Sequence, residues 1–145
     1  MYTVKKILEK DLPDLASLYD DLSGATTNKH KMKRVFNQLI NNSHYFLLGA
    51  YDSGNKLVGT IMGLLCLDLV MECQPIMIME NMVVDSRCRG QGVGKKLLSE
   101  LENIAKEKNC FFIQYCSSMY RKEAHAFYES MGYDPDMVKG YRKFF

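Results

Sequence analysis

The spacing of apolar residues changes period several times along the chain. From Tyr2 to Leu8 apolar or branched residues alternate with polar ones, which predicts a first strand. The period then lengthens to that of a helix. Asp11 stands at the cap position, Pro13 lies in the first turn, and Leu15, Leu18, Tyr19 and Leu22 form an apolar stripe. Ser23 to Thr27 is a loop. A second helix over Asn28 to Asn41 carries Met32, Val35, Phe36, Leu39 and Ile40 on one face. Tyr45 to Tyr51 is predicted as a strand, Asp52-Ser53-Gly54-Asn55 as a hairpin turn, and Leu57 to about Leu69 as a long apolar strand. Its partner runs from about Ile76 to Val84. The clearest helix is Lys95 to Lys108, with Leu97, Leu98, Leu101, Ile104 and Ala105 along one side. Phe111 to Cys116 reads as a short buried strand, Glu123 to Met131 as a helix stopped by Gly132, and Lys139 to Phe145 as a last strand.

The order is therefore β-α-α-β-β-β-α-β-α-β, without repeats, low-complexity tracts or linkers. It predicts one α/β (α+β) domain over residues 1–145, with a mixed sheet whose antiparallel meander precedes a parallel crossover. Composition agrees with a globular chain: 47% hydrophobic and 25% charged residues leave no room for wholesale disorder. A net charge of +2 is too small for a nucleic-acid scaffold. No apolar run is long enough to cross a bilayer. Lys5 and Lys6 are not followed by an apolar stretch, so no secretory signal is expected and the cytoplasm is the default compartment. Cys66, Cys73, Cys88, Cys110 and Cys116 form no CxxC pair and match no spacing to His30, His44 or His125, so neither a metal site nor a disulfide framework is expected. All five read as structural thiols, with Cys66, Cys110 and Cys116 in apolar runs.

The densest chemical signal is Val83-Val84-Asp85-Ser86-Arg87-Cys88-Arg89-Gly90-Gln91-Gly92-Val93-Gly94-Lys95-Lys96. An apolar strand enters a glycine turn, and a helix starts there. Glycines remove the Cβ atoms that would keep an anion from the backbone. The first helix amides lack internal partners, and the helix dipole favours negative charge beside them. The combination predicts a phosphate cradle. A Walker loop is excluded, because Lys96 follows Lys95 where Ser or Thr is needed and Arg89 replaces the first glycine. A dinucleotide fingerprint is excluded too: the spacing is GxGxG, and it follows a meander.

The segment resembles the acetyl-CoA loop of the GNAT superfamily of N-acetyltransferases, Arg/Gln-x-x-Gly-x-Gly/Ala, through Arg89, Gly92 and Gly94. Ala126-Phe127-Tyr128-Glu129-Ser130-Met131-Gly132-Tyr133 is similar to that family's penultimate helix and following strand, and the element order matches over almost the whole chain. The resemblance implies a mixed, mostly antiparallel sheet flanked by helices, with acetyl-CoA as co-substrate. It further implies that backbone groups in the stretch Met82, Val83 and Val84, those of Met82 and Val84 above all, pair with the pantetheine arm as with another strand. The amides of Arg89, Gly90, Gln91, Gly92, Val93, Gly94 and Lys95 would take the pyrophosphate. Ser117 and Ser118, where the family often has Asn, would lie near the pantetheine. A homodimer follows from family habit.

Acetyl transfer to an amine needs a proton acceptor for the amine, a donor for the departing thiolate and a donor for the carbonyl oxygen under attack. Tyr128 matches the family's tyrosine that faces the CoA sulfur, and a phenol of pKa about 10 can donate to a thiolate of comparable basicity. Its plain alternative is a core aromatic like Phe127. Glu80 stands in an apolar strand where, by alternation, it shares a face with Met82 and Val84. A buried carboxylate there needs a reason, and a general base is one; a structural acceptor is the other, with Glu72 next in line as base. Glu80-Asn81-Met82-Val83-Val84 also resembles the Glu-Asp-hydrophobic-Val-Val-Asp of glucosamine-phosphate acetyltransferases, with Asn81 in place of Asp. The Met82 N–H is the oxyanion donor by the same resemblance.

The acceptor is least legible. A small-molecule amine is expected to meet the region between the first two helices and the loop Asp68 to Pro75. Lys29, His30, Lys31, Lys33 and Arg34 suit an acidic acceptor, and Arg121-Lys122-Glu123-Ala124-His125 resembles aminoalkylphosphonate acetyltransferases; a solvated helix face explains the basic run equally simply. Two rivals stand beside the small-amine enzyme: a peptide or protein N-acetyltransferase, and a non-catalytic acetyl-CoA-binding module, which would lack Tyr128.

Overall fold

The computed structural model describes residues 1–145, which divide into two compact units, Met1–Gln114 and Tyr115–Phe145. The first contains β1 (Thr3–Lys6), α1 (Leu12–Ser23), α2 (Lys29–Ile40), β2 (Tyr45–Tyr51), β3 (Leu57–Cys66), β4 (Ile76–Val84), α3 (Val93–Glu107) and β5 (Ile113–Gln114). The second contains α4 (Lys122–Ser130). One sheet runs β1-β2-β3-β4-β5, antiparallel through β4, with β5 parallel to β4. Expected and observed elements agree in order and type through α4.

Short local signals set the ends. Gly24, at φ +71°, closes α1 and donates its N–H to the Asp20 carbonyl at 2.9 Å. Asn28 caps α2 by accepting the Lys31 N–H at 2.9 Å. Asp11 does not cap α1. Its Oδ2 accepts the Leu8 N–H at 2.9 Å and the Tyr51 hydroxyl at 2.7 Å, tying the chain before α1 to the end of β2. Burial, and then the Asp11 carboxylate, push the Tyr51 phenol above its ordinary range.

The two faces of the sheet carry different helices. A side chain at Gly59 or Gly63 of β3 would meet Val93, Leu97 or Leu101, so α3 covers that face. Leu97, Leu98 and Leu101 are fully buried, as the apolar stripe predicts. On the other face Ile7, Leu12, Leu15, Leu18, Phe36, Tyr51, Leu57 and Val83 form one cluster under α1 and α2.

Four expectations change. β3 stops at Cys66, not near Leu69, because Cys66 already pairs with Ile76 at the start of β4 and nothing remains to extend the ladder. Leu67, Leu69, Val70 and Met71 are consequently exposed. β5 shrinks to two residues paired with Met77 and Ile78, leaving Phe111 and Phe112 outside it and exposed. The last strand does not form: residues 133–145 contain turns and irregular backbone only, and their unit offers no other strand to pair with. An alternating pattern is a strand only where a ladder partner exists. Finally, none of the five free cysteines is buried, and Cys116 is exposed rather than a core thiol.

Candidate active site

β4 carries an irregularity that alternation alone does not reveal. Met62 pairs with Glu80 and Thr60 with Val83, so a single β3 residue faces two on β4. This is a β-bulge, and Asn81 within it has φ +53°. Asn is among the few residues that tolerate that left-handed backbone. The bulge shifts the phase of β4 by one. Glu80 shares a face with Met62 and Val83 on the α1/α2 side, whereas Val84 pairs with Gly59 on the α3 side. The expected grouping of Glu80 with Met82 and Val84 is therefore wrong. So is the premise of burial: Glu80 is exposed, and solvation accounts for a carboxylate in this strand.

β5 pairs with β4 only at Met77 and Ile78, so farther along β4 no strand lies on that side. The chain then turns. Asp85 accepts the Arg87 N–H at 3.0 Å and is gripped by the Arg87 guanidinium at 3.0 and 2.6 Å, which holds its carboxyl down at about 2. Arg89 Nε donates to the Val84 carbonyl at 3.1 Å and closes the loop on the strand end. Gln91 donates to the Arg87 carbonyl at 3.0 Å and accepts the Tyr2 hydroxyl at 2.6 Å. Lys96 Nζ reaches the Tyr2 carbonyl at 2.9 Å. A loop pinned at so many points is preorganised.

Its centre is open. Gly90 and Gly92 have φ of +71° and +81°, and a Cβ on either would find nothing within 4 Å. Gly92 is the N-terminal cap of α3, and the first helical bond runs from the Lys96 N–H to the Gly92 carbonyl. The amides of Val93, Gly94 and Lys95 thus have no helical acceptor. Backbone donors without partners, glycines that clear the approach and the positive end of a 15-residue helix are what a diphosphate requires.

In the second unit Tyr128 is 7% exposed, and its ring centroid lies 4.6 Å from that of Tyr115, 5.2 Å from Phe127 and 6.2 Å from Tyr133. Burial, then Tyr115, push its pKa above the ordinary phenol value. The phenol therefore holds its proton more tightly. The buried Ser117 hydroxyl has no hydrogen-bond partner. The Ser118 carbonyl faces His125 Nε2 at 2.9 Å.

A cavity of about 460 Å³ opens on the α1/α2 side of the sheet, lined among others by Leu15, Tyr19, Phe36, Leu47, Met62 and Asn81. Burial pushes the Tyr19 phenol up to about 12. Of the basic run only Lys31 lines this cavity; Lys33 instead pairs with Glu9 at 2.8 Å, and the loop 68–75 does not line it. Asn81 and Tyr19 were not singled out from sequence. An Asn inside a strand pattern was the available sign of the first; nothing local distinguishes Tyr19 from the stripe of α1.

Residues 12–133 match the model of the acetyltransferase (GNAT) family. The chain belongs to that family. The mixed, mostly antiparallel sheet is the GNAT fold, and solved structures superpose along the whole chain. A protein from Bacillus halodurans C-125 named a transcriptional regulator is 23% identical, with TM-score 0.88 over 100% of both chains. Glucosamine-6-phosphate N-acetyltransferase from Arabidopsis thaliana is 21% identical, with TM-score 0.85 over 99% of both. An aminoglycoside antibiotic 6'-N-acetyltransferase from Acinetobacter baumannii is 20% identical, with TM-score 0.81 over 100% of this chain and 99% of its own. At such identities they establish the shared GNAT fold. No curated protein matches the sequence. No helix is long and apolar enough to cross a membrane.

Proposed function

We propose that residues 1–145 form one acetyl-CoA-dependent N-acetyltransferase domain that acylates a primary amine of a small molecule by direct attack in a ternary complex. The observation that carries the reading is the open cradle at Gly90 and Gly92, followed by three α3 amides without helical acceptors. Acetyl-CoA, when bound, supplies an activated acetyl thioester. The amides from Arg89 to Lys95 would hold its diphosphate, and backbone groups of Met82 to Val84 its pantetheine arm. Ser117 and Ser118, by the same family resemblance, would lie near that arm.

Residues of the chain then divide the proton work. Glu80 is solvated and lies on the face shared with Met62, a wall of the cavity, which suits it to take the amine's proton through water. The Met82 N–H, in the bulge beside Asn81, donates to the carbonyl oxygen under attack. Tyr128, kept neutral by burial, donates to the leaving sulfur. Calorimetry with acetyl-CoA, followed by a free-thiol assay of CoA release over a panel of amines, tests the reading. Binding without release from any amine would leave a binding module.

A further inference from the structure

We infer that the acceptor amine is carried on an uncharged apolar body, an aryl or medium-length alkyl chain, which fills the cavity between α1, α2 and the sheet with its amino group toward the Glu80–Asn81 bulge. This rests on the N-acetyltransferase reading and names the substrate class of that site.

At about 460 Å³ the cavity falls within the range of small-molecule sites. Leu12, Leu15, Phe36 and Leu47 form its depth, and no Asp or Glu lines it. A polycationic sugar would find no carboxylate against which to set its ammonium groups. A phosphorylated or phosphonate acceptor would find one cation, Lys31, and no guanidinium. Hydroxyl-rich acceptors fare no better. Most of the lining is aliphatic or aromatic, with Leu12, Leu15, Phe36, Leu39, Leu47 and Met62 among it, so sugar hydroxyls buried there would go unpaired. Polar groups sit at the edges, with Thr27, Asn28 and Lys31 around the start of α2 and Asn81 at the bulge. Asn81 lines the cavity there, and Glu80, opposite Met62, lies on the same face of the sheet. An amphipathic amine matches this distribution: apolar inside, a titratable amino group at the edge.

The n-alkylamine series from ethylamine to octylamine, with phenethylamine and tryptamine, tests this against kanamycin and glucosamine 6-phosphate, read by CoA release at saturating acetyl-CoA. The expectation is a rise of about fourfold in kcat/KM per added methylene until the cavity is full. Val35 lines the cavity and is 45% exposed, so Val35→Asp adds a charge without emptying the core. That variant should flatten the slope while leaving the KM for acetyl-CoA unchanged. Turnover that ignores chain length, or prefers kanamycin or glucosamine 6-phosphate, overturns the assignment and leaves acetyl transfer standing. If no amine releases CoA, thermal melting separates the cases. A larger Tm rise with octylamine than with ethylamine, erased by Val35→Asp, keeps the apolar site and removes the transferase; no difference removes both.

Discussion

Gly63 in β3 and Gly92 at the start of α3 are the same residue put to opposite uses. A Cβ at Gly63 would sit 2.5 Å from Leu101 Cδ1 and 2.9 Å from Met77 Sδ, so hydrogen is demanded by the packing of helix on sheet. At Gly92 nothing lies within 4 Å, and glycine is demanded by a φ of +81° and by the approach it leaves clear. The sheet glycine serves the core, where volume is contested. The loop glycine faces space that the protein itself does not fill. An unfilled space at a pinned loop is the more informative of the two about function, because nothing in folding requires it.

The contrast is broken first at the loop. Gly92→Glu should weaken acetyl-CoA binding by at least about 100-fold in calorimetry, through a carboxylate beside the diphosphate site and a strained backbone, with far-UV circular dichroism unchanged. Normal binding in that variant would remove the cradle. Tyr128→Phe sharpens the division between holding and reacting: turnover should fall by about 100-fold, with the acetyl-CoA Kd within about twofold. Equal activity would remove the acid assignment. Gly63→Val takes the opposite side, with an expected loss of about 1–3 kcal/mol in urea unfolding and unaltered cofactor affinity of the folded fraction. The smallest effect belongs to the loop's frame. The folded Asp85 carboxyl is depressed to about 2, against about 3.9 in an unfolded chain, so its stabilisation is complete above about 3.9 and is lost as pH falls through about 2. Asp85→Asn should lower Tm by no more than about 3 °C at pH 6, since Arg87 is largely solvated, and by only a small part of that near pH 2, where the folded carboxyl is half protonated.

Much of the architecture was legible because it is written locally. The Leu97, Leu98, Leu101 stripe announces α3, the apolar face from Met32 to Ile40 announces α2, and β2 runs from Tyr45 to Tyr51 as its pattern predicts. The glycine loop was legible for the same reason: strand end, positive-φ glycines and helix start lie within one short segment. What failed was non-local. Lys139 to Phe145 alternates like a strand, but alternation cannot supply a partner. Phe111 and Phe112 look like core residues, yet the ladder they adjoin is two residues long. The shared face of Glu80, Met82 and Val84 was read through an uninterrupted alternation that the bulge at Asn81 breaks.

By itself the sequence determined the helices, most of the strands, their order, and the glycine loop between β4 and α3, since each depends on residues a few positions apart. Only the tertiary structure decided which face Glu80 presents, that an acid-free cavity opens beside it, and that the Ser117 hydroxyl is buried without a partner. Those features arise when strands choose a register and helices settle on a face, and the pairing of distant residues leaves no periodic trace in the chain.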